Sequence, residues 1–212
     1  MEAIERNFLS DDLITITFLL GFVLLFLMKL YKPQRLLGYS IAFFTQGFIE
    51  KRSEETTSLL SPFHGVMFTF SVIIISLTFF TLITSFTLEK NLFLFLLILG
   101  VTAFYFIAKY LISYLIINVF SMQEDLNYFL YSKNGYLYSI CLWIFPVLII
   151  NQYWFKDIFF LLFFITLLLV FRVYLILTNN KRMIFNQFFY FILYFCTLEL
   201  APLLILYKTI TI

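Results

Sequence analysis

The sequence predicts an all-α fold, a polytopic transmembrane helix bundle of about six spans, and three observations predict it. Hydrophobic residues make up 63% of the 212-residue chain and charged residues only 12%. A water-soluble domain carries roughly 25% charged residues, so the surplus apolar surface here must face lipid. The apolar residues fall in long runs, each near the ~20 residues needed to cross hydrocarbon. Inside a bilayer no water satisfies the backbone, so each run must close its own hydrogen bonds as a helix. The net charge of +2 leaves no broad basic field for nucleic acid.

Span one is expected over 13–30, with Asp11 and Asp12 ahead of it as N-terminal caps. The preceding residues hold Glu2 and Glu5 against a single Arg6, and no small-residue cleavage site follows. They read as the start of a retained span rather than a cleavable signal. Span two is expected over 62–87, with Ser61 as cap and Pro62 at the first helical position. Span three follows over 91–108, and span four over 136–153, where Pro146 is expected to kink the helix. Span five is expected over 158–177, and span six over 188–207 with Pro202 in its last third.

Two connections are more than loops. The segment from Tyr31 to Ser61 opens with Lys32-Pro33-Gln34-Arg35, and its middle has the character of a helix lying in the membrane interface. From Tyr110 to Leu126 the residues separate on a helical wheel. Tyr110, Tyr114, Asn118, Ser121 and Asp125 share one side, and Leu111, Ile112, Leu115, Ile116, Val119, Met122 and Leu126 the other. An amphipathic helix, or an extension of span three past the membrane, is therefore expected there.

Lysine and arginine set the orientation. With the N-terminus outside, ten of the 14 basic residues fall in inner segments, among them Lys29, Lys32, Arg35, Lys109 and Arg172. Arg6, Lys90, Lys156 and Lys208 fall outside. Both termini are thus expected on the outer, periplasmic side of a bacterial inner membrane.

Ionisable residues inside spans are the candidates for function, because burying one costs several kcal/mol unless it is paired or hydrated. Glu199 is the strongest, about 12 Å from the outer end of span six at 1.5 Å per residue. Pro202 cannot bond the carbonyl of Leu198, which leaves an acceptor beside that carboxyl. A proton or cation site and interhelical glue are the two readings of such an arrangement. Arg172 lies in the inner half of span five, where snorkelling to headgroups is expected. Lys109 marks the inner end of span three. His64, the single histidine, falls in the first turn of span two. One histidine without neighbouring ligands makes no metal site, and Cys141 and Cys196 stand alone in apolar runs. No glycine-rich phosphate loop and no catalytic pair is present, so neither cofactor nor metal is expected.

The stretch Phe191-Ile192-Leu193-Tyr194-Phe195-Cys196-Thr197-Leu198-Glu199-Leu200-Ala201-Pro202-Leu203-Leu204 resembles an uncharacterised family of Bacteroidota integral membrane proteins, a domain of unknown function. Its specific part is the Cys-Thr-Leu-Glu-x-x-Pro run, and chain length and span number also fit. The resemblance implies an inner-membrane location and no established reaction. Short loops and the lack of a soluble domain point to a non-enzymatic subunit or assembly factor of an envelope complex. Secretion or gliding machinery of that phylum is the kind of complex implied. Its partners would be the lipid bilayer and other membrane proteins or a second copy. A small proton- or cation-coupled transporter built on Glu199 is the competing expectation.

Overall fold

The structure is a computed structural model that describes residues 8–42, 62–87, 91–120 and 123–179. Among them it is all helical: α1 (Phe8–Tyr31), α2 (Pro33–Ile41), α3 (Pro62–Thr87), α4 (Leu92–Phe120), α5 (Gln123–Ile150) and α6 (Ile158–Asn179). A π-helical turn, Asn151–Phe155, extends α5. Five of these helices carry apolar windows long enough to cross a membrane: Asp12–Tyr31, Pro62–Ser85, Leu92–Ile112, Asn134–Phe155 and Ile158–Leu175. The protein is a multi-spanning membrane protein. The sixth expected span, 188–207, lies outside the described residues.

The spans alternate in direction, and side-chain contacts tie their ends together. At one end the Thr15 and Tyr153 hydroxyls meet at 3.0 Å, joining the start of α1 to the end of α5. Phe80 and Phe95 pack edge to face where α3 ends and α4 begins. At the other end Tyr39 of α2 stacks on Phe63 of α3 and meets Tyr138 of α5 edge-on. Lys29, Lys32, Arg35, Lys109 and Arg172 all belong to this second end, called the basic end below.

Helices α3 and α5 are the centre. Half of each of their windows is buried, against 11% for α6, which packs mainly on α5. Lipid tails are as apolar as leucine, so close packing rather than the hydrophobic effect must hold helices together here. Small residues make the close approach possible: Ser71 and Ser76 on α3 and Ser139 and Cys141 on α5 are fully covered. Phe145 fills the adjoining layer, in edge contact with Phe18, Phe22 and Phe70.

Several local expectations change. Asp11 and Asp12 lie inside α1, which begins by Phe8, and so do not precede the helix as caps. They still sit near its N-terminus, where the helix dipole favours negative charge. Pro146, where a kink is expected, lies inside α5, which continues to Ile150 and is followed by the π turn. That turn closes with the Lys156 amide donating to the Asn151 carbonyl at 2.7 Å, and Lys156 takes a left-handed φ of 51°. Asp157 then caps α6, its carboxylate accepting from the Phe159 amide at 3.0 Å. Of the two expectations for 110–126, the extension of span three holds as far as Phe120, since α4 runs unbroken past Lys109, and the rest of the stretch belongs to α5 from Gln123.

Candidate functional site at the basic end

The site begins with a proline. Pro33 has no amide hydrogen and disfavours helical geometry in the residue before it. Lys32 accordingly leaves the helix, at φ −153° and ψ 84°, and the chain restarts as α2 with Pro33 in its first turn. Of the segment expected to lie in the membrane interface, residues 43–61 lie outside the described residues and α2 is the described part. It packs on α1 and α5, burying Tyr39 to 2% exposure. The Trp143 indole N–H of α5 donates to the Ser40 carbonyl at 3.1 Å, which fixes the end of α2 against the bundle.

His64 faces this helix. Its Nε2 lies 3.4 Å from the Tyr39 hydroxyl, at the long limit of a hydrogen bond, and its ring meets Phe63 edge-on. The geometry makes His64 part of an aromatic interface, half-buried. Lys109 is half-buried with its ammonium 5.5 Å from the Tyr105 ring centre, a cation–π contact at the membrane edge. Arg172 is half-buried three residues before the α6 window closes at Leu175, and it lies within electrostatic reach of Cys141 on α5. Its Nε is covered. Glu199, Pro202 and Cys196 lie outside the described residues. The structure therefore brings His64 together with α2 residues, while Lys109 and Arg172 mark the same end on other helices.

Tyr39, Ser139 and Trp143 are the residues of this end that sequence reasoning passed over, and none had a local signal. Arg35, read from the sequence only as one of the inner basic residues, has its Nε covered with no hydrogen-bond acceptor among the described residues. Ser139 is fully buried with its hydroxyl likewise unmatched.

Other buried hydroxyls behave differently. Thr17, Ser71, Thr78 and Thr84 each donate to the carbonyl four residues back on their own helix, at 2.7–2.9 Å. Ser76 and Thr102 do the same three residues back. These bonds satisfy the hydroxyls locally and build no relay between helices. Among the described residues no three His, Cys, Asp or Glu side chains are grouped to hold a metal.

A second feature of this end is the reach of α4 and α5. Helix α4 is 29 residues long and α5 is 28, about 43 and 42 Å at 1.5 Å per residue, against a hydrocarbon core ~30 Å thick. Helix α4 is apolar from Leu92 and α5 opens with Gln123-Glu124-Asp125, so the excess length lies at the basic end. The hairpin thus carries helical backbone beyond the hydrocarbon.

A family model described as "Domain of unknown function (DUF4271)" matches residues 14–210. No curated protein and no solved structure matches the chain.

Proposed function

The chain belongs to the DUF4271 family, and from that premise we propose that it is a non-enzymatic subunit or assembly factor of a larger envelope complex in a bacterial inner membrane. The observation that carries this reading is the α4–α5 hairpin, whose helices are longer than a membrane crossing needs and extend past it at the basic end. Lipid accounts for the apolar residues of a crossing ~20 residues long. It does not account for Leu115, Ile116 and Val119, which recur at helical spacing in the part of α4 beyond that length. A partner protein covering that face is the physical counterpart of such a pattern. Six of the seven buried serine and threonine hydroxyls among the described residues close on their own helices, which favours a packed scaffold over a proton or cation path.

The basic end is the inner end in this reading, following the lysine and arginine distribution, and both termini are then outside. Secretion or gliding machinery is the kind of complex we have in view. The test is native purification of the protein, tagged at its own locus and extracted gently, with co-purifying proteins identified by mass spectrometry. A stoichiometric membrane or cytoplasmic partner that survives washing is expected. A homogeneous preparation of this chain alone would contradict the reading.

A further inference from the structure

A guanidinium stays charged at any physiological pH, and covering it without an acceptor costs free energy. Arg35 on α2 is half-buried, and its Nε is covered with no acceptor among the described residues. Among the described residues outside the hairpin, the charged side chains at this end are of one sign. Lys29 lies in the last turn of α1, Lys32 precedes α2, and Lys109 and Arg172 lie toward the same end of α4 and α6. No Asp or Glu occurs in 29–42, 62–70, 105–112 or 134–142. The acids of α5, Glu124 and Asp125, lie in the projecting hairpin.

The surroundings are those of a lipid headgroup. Leu30, Leu37 and Ile41 are exposed apolar residues on α1 and α2, and Tyr31 is exposed between them. The Trp143 bond to Ser40 holds α2 as a fixed shelf at the membrane edge. We propose that Arg35, with charge added by Lys32 and Lys29, binds the phosphate of an anionic membrane lipid whose acyl chains lie along Leu30, Leu37 and Ile41. A phosphate diester offers the paired oxygens that a guanidinium fork bonds in parallel. The site does not depend on which face of the membrane is inner, nor on the presence of a partner protein.

The test uses the full chain in nanodiscs of mixed phosphatidylcholine and phosphatidylglycerol, with retained lipid read by native mass spectrometry after release. The wild type is expected to keep phosphatidylglycerol in preference to phosphatidylcholine. Arg35→Gln should lower that retention roughly tenfold, the scale of a lost charge-assisted bidentate contact. Arg35→Lys should also lower it, since an ammonium cannot form two parallel bonds. Lys156→Gln, at the opposite end, should retain lipid as the wild type does. Should Arg35→Gln fail to fold, Arg35→Lys and Lys32→Gln carry the comparison. Unchanged retention in the Arg35 variants would overturn the proposal. So would complete displacement of the lipid by inorganic phosphate, which would assign the site to the free anion.

Discussion

At Gly21 a single hydrogen atom sets how closely α1 approaches α5. A Cβ built there would lie 2.8 Å from Cε2 of Phe145. That ring cannot swing aside, because Phe18, Phe22 and Phe70 hold it with centroids at 6.0, 5.0 and 5.7 Å. Gly21→Ala is therefore expected to destabilise the bundle by about 1–3 kcal/mol, the range of overpacking. Thermal unfolding of the detergent-solubilised protein would register this as a lower midpoint. Asp157 is the other residue with a measurable local task, satisfying the Phe159 amide at the start of α6. Asp157→Ala should cost about 1 kcal/mol, and Asp157→Asn should restore most of it, because asparagine caps equally well. Equal midpoints for the wild type and the alanine variant would show that the cap carries no weight. The Asp157 cap was not among the sequence expectations, although the residue stands directly before an apolar run. The role of Gly21 was not legible, because its partner stands 124 positions away and nothing local announces the meeting.

Among the elements, those governed by the bilayer were legible from composition alone. An apolar run in hydrocarbon has no alternative to a helix, so the five described spans lie close to where the runs are. Elements governed by contacts were not legible. Helix α2 is nine residues long, and its placement depends on Trp143 and Tyr138, which lie about a hundred positions downstream. Periodicity over 110–126 correctly signalled helix, yet period alone does not reveal that the chain turns back between α4 and α5. The same limit applies to Pro146, whose lost hydrogen bond α5 absorbs without ending. The candidate site shared this mixture: His64, Lys109 and Arg172 stood out as rare polar residues in apolar runs, whereas Tyr39 and Trp143 were hidden among the 22% aromatic residues.

On the scale of the whole molecule, charge and packing divide the bundle into two unlike ends. One holds Lys29, Lys32, Arg35, Lys109 and Arg172 with the aromatic contacts of Tyr39 and the projecting hairpin. The other holds Asp12, the π turn, Lys156 and Asp157. The positive-inside rule then predicts that single cysteines placed near Lys32 and Lys133 are shielded from a membrane-impermeant thiol reagent in intact cells, while one at Lys156 is labelled. The opposite labelling pattern would invert the topology and turn the hairpin outward. The account's central claim, that the hairpin docks a partner protein, is tested most directly by site-specific photo-crosslinking in living cells. A crosslinking residue is placed at Leu115, Ile116 or Val119, and at Phe159 on the exposed face of α6 as the lipid-facing control. The account predicts one discrete protein adduct from the hairpin positions and none from Phe159. Hairpin positions that yield no protein adduct, or only this chain crosslinked to itself, would contradict it.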